Sequence, residues 1–157
     1  MGNFKASEIL EIGIRIEENG EKLYRHATTL TDDPKLKDLL GFLAGEEIKH
    51  KKIFEEMVSK LETYEPPETY PGEYFAYLRA YADAIVFPPA AMEEELEDLY
   101  DIDEAIEFAM QREIESILYY IETRSIVPKS QGDQIDKIIS EERGHYLKLV
   151  EVKKTLD

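Results

Sequence analysis

Apolar residues recur along this chain at spacings of three and four, and four long stretches carry that rhythm. The first, from about Ser7 to Leu30, places Ile9, Ile12, Ile16, Leu23, Ala27 and Leu30 on one face, the stripe of an amphipathic helix with Ser7 as its N-cap. Asp33-Pro34 opens the second, since Asp caps well and Pro suits a first position that needs no N–H. That helix reads Leu36, Leu39, Leu43, Glu47, His50, Phe54, Met57, Leu61, and the Pro-rich break at Glu65-Pro66-Pro67 ends it. The third begins near Asp101–Asp103, carries Ile106, Ala109, Met110, Glu113, Ile117 and Tyr120, and closes at Val127-Pro128. The fourth reads Ile135, Ile138, Glu142, His145, Leu149, Val152, Leu156.

Short connections join the first helix to the second and the third to the fourth, so each pair is an antiparallel hairpin. The chain of 157 residues reads as one all-α domain, 1–157: a hairpin over 7–62, a crossover over 63–100 and a second hairpin over 101–157. This is a four-helix bundle with one long crossover, a topology that houses cofactors. Within the crossover, Tyr74, Phe75, Tyr77, Leu78, Tyr81, Ala82, Ile85, Val86 and Phe87 predict a short, very apolar helix ended by Pro88-Pro89. It packs over the bundle or onto a second subunit.

Charged residues interrupt the seams at matched places. Glu47-Ile48-Lys49-His50 and Glu142-Arg143-Gly144-His145 are both Glu-x-x-His, and each follows a Glu-x6-Tyr segment: Glu17 to Tyr24 in one half, Glu113 to Tyr120 in the other. The two sets are offset by 95 to 96 residues. One Glu-x-x-His in a Glu-rich chain carries little weight and is most often a surface pair. Four Glu and two His on matched seam positions are another matter. Residues three apart share a helix face, so each tetrad aims a carboxylate and an imidazole at one point. Leaving four such carboxylates buried and unpaired would cost at least several kcal/mol each. Lys and Arg are missing from the matching inward positions. Two divalent cations meet the four negative charges, and a mixed oxygen and nitrogen set suits iron or manganese better than calcium.

Composition removes other chemistries. The chain has no Cys, which excludes disulfides, thiolate catalysis and cysteine-held iron–sulfur clusters. Its 35 acidic and 19 basic residues give a net charge of −16, which argues against nucleic acid or an anionic membrane as partner. No apolar run reaches the length of a membrane span and Met1–Lys5 does not lead into a signal peptide, so the expected location is the cytoplasm. Acidity peaks from Glu93 to Glu104, which reads as a solvated face.

Other residues are placed by their neighbours. Gly13 and Gly20 flank Glu17 on its own face, and Ala109 and Ser116 hold the same positions around Glu113. A helical Gly costs about 1 kcal/mol relative to Ala. Two readings explain the pair: close approach of the first and third long helices, or a pocket beside the metals for dioxygen or peroxide. Glu46 and Glu141 each precede a tetrad Glu and are candidates to accept the second N–H of a ligand histidine, with plain surface exposure as the alternative. His26 lies off the seam and reads as a surface residue.

With these residues, the chain resembles the ferritin-like di-iron carboxylate superfamily, whose pattern is one Glu from each of two helices and Glu-x-x-His from each of the others. Over its whole length it is most similar to the rubrerythrin-like branch. The resemblance implies two irons per chain, bridged by Glu47 and Glu142, with Glu17 and His50 on one and Glu113 and His145 on the other. It also implies that Tyr24 and Tyr120 hydrogen-bond ligand carboxylates, whereas the seam alone allows them to be core filler. Two departures stand out. A full rubrerythrin carries a four-Cys rubredoxin domain, which is missing here, so electrons must come from an external electron-transfer protein. The extra Glu found three residues past the third-helix ligand is Ser116 here, and the minimal four-Glu, two-His set is closer to bacterioferritin sites.

The activity this implies is reduction of hydrogen peroxide by a di-iron centre, in a homo-oligomer for which a dimer is favoured. Alternatives are ferroxidase and iron-storage chemistry with dioxygen, or dimanganese catalase chemistry.

Overall fold

In the computed structural model, which describes residues 6–61 and 72–156, the protein comprises six helices, with no strand among the described residues. They are α1 (Ala6–Thr28), α2 (Pro34–Lys60), α3 (Gly72–Ile85), α4 (Pro89–Glu97), α5 (Ile102–Thr123) and α6 (Lys129–Leu156). The helix starts follow local chemistry. Asp33 takes an extended conformation and its carboxylate accepts from the Lys35 N–H at 3.0 Å, with Pro34 at the first helical position. Asp101 does the same for Asp103 at 2.7 Å. Both bonds satisfy N–H groups that a helix start leaves without partners. Ser7 lies inside α1, whose first described helical residue is Ala6, and so is not its cap.

The two long pairs, α1 with α2 and α5 with α6, pack along their lengths, and α1 lies against α5 between the hairpins. The crossover differs from its expected form. It holds two helices: α3 packs on α5 and α4 on α1. Pro88 caps α4 and Pro89 is its first residue, so the Pro-Pro pair that ends one helix starts the next. The acidic run from Glu93 forms α4 and the turn after it. Met92 and Leu96 are buried on one side, while Glu93, Glu94, Glu97 and Asp98 face solvent. The break at Glu65-Pro66-Pro67 lies outside the described residues.

Apolar packing divides into two clusters. One gathers Ile9, Leu10, Phe54, Met57, Leu78, Tyr119, Tyr120, Ile135 and Ile138, among others. The second gathers Leu23, Tyr24, Leu36, Leu40, Leu43, Met92, Ile106 and Leu149. Between them in sequence on all four long helices come buried charged residues: Glu17, Glu47, His50, Glu113, Glu142 and His145. The stripe is broader than the seam reading: Leu10 and Leu40 are fully buried. Ile12, Ile16, Leu30, Leu39 and Val152 are only partly so, and Leu156 is exposed. A helix turns through 3.6 residues, so a strict three-and-four reading drifts off the true face at its ends.

Candidate metal centre

Each long helix delivers its charged residues at the level where the apolar clusters stop. The side-chain ligand atoms of Glu17, Glu47, His50 and Glu142 lie within 4.8 Å of one another, and so do those of Glu47, Glu113, Glu142 and His145. Glu47 and Glu142 belong to both sets. The imidazoles of His50 and His145 stack at 5.8 Å between centroids, tilted by 21°. Every one of the six residues is buried.

The electrostatics are those of crowded carboxylates. Burial, then the charges of Glu142 and Glu17, raise Glu47 well above the usual carboxylate range. Burial and Glu142 do the same to Glu113, and Glu17 is raised for the same reasons. Glu142 goes the other way: burial opposes its charge, but the close approach of Glu113, His145 and His50 holds its pKa below the usual range. Burial alone would lower His50, yet its contacts with Glu142 and Glu17 push it up to about 11. Without metal, Glu142 and a protonated His50 form an ion pair at 2.7 Å.

Neighbours hold these groups from outside. Tyr24 donates to Glu113 Oε1, and Tyr120 donates to Glu17 Oε1 at 2.7 Å. Each phenol therefore serves the single-Glu ligand of the opposite half. Glu141 lies 2.6 Å from His50 Nε2, leaving Nδ1 turned into the cluster toward Glu142. Glu46 is half-buried, has an oxygen within 4.8 Å of both His50 and Glu141, and pairs with Lys49 at 3.6 Å. His26, expected at the surface, is half-buried, and its Nε2 meets the Leu99 carbonyl at 3.0 Å. The chain that follows α4 covers it.

A cavity of about 20 Å³ adjoins the centre, lined by Gly20, Tyr24, Glu47, Glu113, Ser116 and Arg112 among others. That is room for one molecule of water's size. Gly20 sits at its wall, where a Cβ would lie 2.9 Å from Glu47 Cδ and Oε2. Gly13 and Ala109 are not among its lining residues. A Cβ at Gly13 would meet the Phe54 ring at 3.3 Å. Both glycines thus face side chains of α2. Sequence reasoning missed Arg112 and Asn19, both of which line the cavity, with Asn19 donating to the Phe87 carbonyl at 3.2 Å. Arg112 donates to the Ile85 carbonyl, lies 3.2 Å from Glu115, and stands 4.6 Å over the Phe87 ring. As the residue before a seam Glu it carries no periodic signal.

The residues fit a metal pair on one further observation. Glu17 Oε2, Glu113 Oε2 and His145 Nδ1 are buried without a hydrogen-bond partner. Buried polar atoms of native proteins are normally satisfied, and these three all belong to the overlapping ligand sets. Cations between the sets would satisfy them.

The comparisons with known proteins agree. The family model for rubrerythrin matches residues 8–153. The chain belongs to the rubrerythrin family. Its fold is also that of a Thermotoga maritima crystal structure at 2.30 Å, described as a ferritin-like diiron-carboxylate protein. That protein is 27% identical, with a TM-score of 0.74, over 100% of this chain and 99% of its own. No curated protein matches the chain. Rubrerythrin-family membership and the buried carboxylate–histidine cluster together point to a di-metal site. No helix among the described residues is long and apolar enough to cross a membrane.

Proposed function

We propose that this protein is a di-iron carboxylate oxidoreductase that reduces hydrogen peroxide with electrons from an external donor protein. The observation that carries the reading is the pair of overlapping ligand sets sharing Glu47 and Glu142. Glu47 and Glu142 would serve both ions, with Glu17 and His50 holding one and Glu113 and His145 the other. Iron and manganese both suit the mixed donor set, and iron is proposed on the family's chemistry. When bound, two ferrous ions supply the two electrons that peroxide takes up as its O–O bond breaks.

The chain's own residues prepare that chemistry. Glu141 accepts a proton-bearing Nε2 from His50 and so presents Nδ1 as a lone pair, the usual second contact of a metal-bound imidazole. Tyr24 and Tyr120 orient Glu113 and Glu17 through phenol hydrogen bonds. The apolar clusters on either side exclude bulk water, which strengthens every charge interaction between them. The Gly20 and Ser116 cavity adjoins Glu47 and Glu113 and offers a space of about one water's size beside them. A homodimer in the cytoplasm completes the proposal.

Stopped-flow absorbance tests it. Protein loaded anaerobically with ferrous iron is mixed with hydrogen peroxide or with dioxygen. Much faster oxidation by peroxide, complete at two irons per chain, is expected. Equal or faster oxidation by dioxygen, with uptake continuing past two irons and a large hollow assembly in sedimentation, would overturn it in favour of ferroxidase and storage. No oxidised-centre absorbance with either oxidant would point to manganese, which metal analysis of the purified protein identifies.

A further inference from the structure

Four tyrosines form an unbroken series from the metal centre to the surface. Tyr120 bonds Glu17 at 2.7 Å. Its ring lies 6.2 Å from that of Tyr119, which stacks on Tyr81 at 6.2 Å and 6°, and Tyr81 stacks on Tyr77 at 6.2 Å and 26°. Tyr119 and Tyr120 are fully buried, while Tyr77 is 55% exposed. The crossover helix α3 supplies the outer pair and α5 the inner pair. Core packing alone does not call for hydroxyls on four successive rings, since Phe fills the same space without a polar atom to satisfy.

We propose that Tyr120, Tyr119, Tyr81 and Tyr77 form a one-electron relay that drains oxidising equivalents from the metal centre to solvent. Phenols are hard to oxidise, so the relay runs only when peroxide meets a centre that holds a single ferrous ion and no donor protein has delivered electrons. That ion would supply one of the two electrons that peroxide takes up; the Tyr120 ring supplies the other, and its phenol proton moves to Glu17. An electron from Tyr77, passed through Tyr81 and Tyr119, refills Tyr120, which takes its proton back. Tyr77 loses its own proton to water and remains as a neutral tyrosyl radical. A small thiol or ascorbate then returns one hydrogen atom to it from solution. Peroxide is the oxidant, Tyr77 the transient reductant, and the net change is one electron delivered inward.

The hydrogen bonds divide the labour along the series. Both ends have a proton acceptor, the Glu17 carboxylate or bulk water. The middle phenols instead donate to backbone carbonyls, Tyr119 to Ile9 at 3.0 Å and Tyr81 to Glu115 at 2.9 Å. A carbonyl does not take the proton, so an oxidised middle ring cannot settle as a neutral radical. Charge passes through these rings and rests at the ends.

The relay depends on the di-iron reading for its oxidant, and the test separates the two. Protein loaded with mixed ferrous and ferric iron is treated with hydrogen peroxide and a nitroso spin trap, and the trapped residue is located by mass spectrometry. An adduct on Tyr77 is expected, at least an order of magnitude weaker in Y119F and in Y81F and unchanged in Y100F, which alters an exposed tyrosine outside the series. Iron oxidation by peroxide persists in these variants. An undiminished Tyr77 adduct in both Y119F and Y81F overturns the relay and leaves the di-iron reading intact. A second arm needs no iron. The chain has no cysteine, so A80C, at an exposed site on α3, takes a single ruthenium photo-oxidant. In protein loaded with redox-inert zinc, which keeps Glu17 ionised, a slowly quenched tyrosyl component, shielded from ascorbate, is expected and should vanish in Y119F. Its absence from the parent overturns the relay whatever the centre binds.

Discussion

Glu47 and Glu142 occupy equivalent places in the two sequence repeats, yet their surroundings without metal are opposite, and mutation should expose this. Glu142 is ionised and balances the His50 imidazolium at 2.7 Å. Glu47 is pushed well above the carboxylate range by burial and by Glu142 and Glu17, which favours its protonated form. E142Q therefore removes the buried partner of the His50 cation and leaves it the partly exposed Glu141. Breaking a buried pair in this way costs about 3 to 5 kcal/mol, or roughly 6 to 20 °C in Tm for a domain of this size. E47Q replaces a neutral acid with a neutral amide of nearly the same shape. It should leave metal-free stability unchanged or raise it by about 1 to 2 kcal/mol as pH climbs, because the wild-type acid is penalised for ionising in a buried site. The signs follow from linkage. The raised group's contribution is full below the ordinary value of 4.5 and lost as pH rises. The depressed group's contribution is present above 4.5 and lost as pH falls toward the lowered folded value. The assay is calorimetric melting of chelator-treated protein from pH 5 to 9, repeated with two metal equivalents. With metal, both variants should lose most of the stabilisation that wild type gains. Equal destabilisation of the metal-free protein by E47Q and E142Q would refute this account of the charge distribution.

Three further outcomes are expected. G20A brings a Cβ within 2.9 Å of the Glu47 carboxylate; metal affinity should fall while metal-free stability holds or gains up to about 1 kcal/mol from helix propensity. G13A, facing Phe54 instead, should keep wild-type affinity in the same titration. E141Q weakens the 2.6 Å contact to His50 Nε2 and should lower metal affinity about 10- to 100-fold, the usual effect of losing such a partner; E46Q, whose group pairs with Lys49, should change it less. Metal loading should release protons from Glu47, Glu113 and His50, so calorimetric titrations in buffers of different ionisation enthalpy should differ and affinity should rise with pH. The stability that protonated His50 gives the metal-free form is complete below its ordinary value of 6.5 and lost as pH rises toward 11.

Much of this protein is local in origin. Helix starts at Asp33 and Asp101 and the inward phase of Glu17, Glu47, Glu113 and Glu142 follow from capping and 3.6-residue periodicity, and both act within a few residues; the stop read at Val127-Pro128 comes earlier, at Thr123. The repeated Glu-x-x-His carried the ligand chemistry, since no seam position bears an uncompensated carboxylate without cause. What the helices do to one another has no such local signature. Only tertiary packing pairs Tyr24 with Glu113 and Tyr120 with Glu17, crossing the repeats, because the α1–α5 contact brings opposite halves together. Only packing sets Glu141 on His50 while Glu46 turns to Lys49, and places Gly20 against Glu47. The same holds for α4, whose Glu-rich sequence conceals the burial of Met92 and Leu96, and for the tyrosine series across α3 and α5. A sequence of helical periods determines which face of each helix is buried; which neighbour that face meets depends on interhelical fit, a property of the whole bundle.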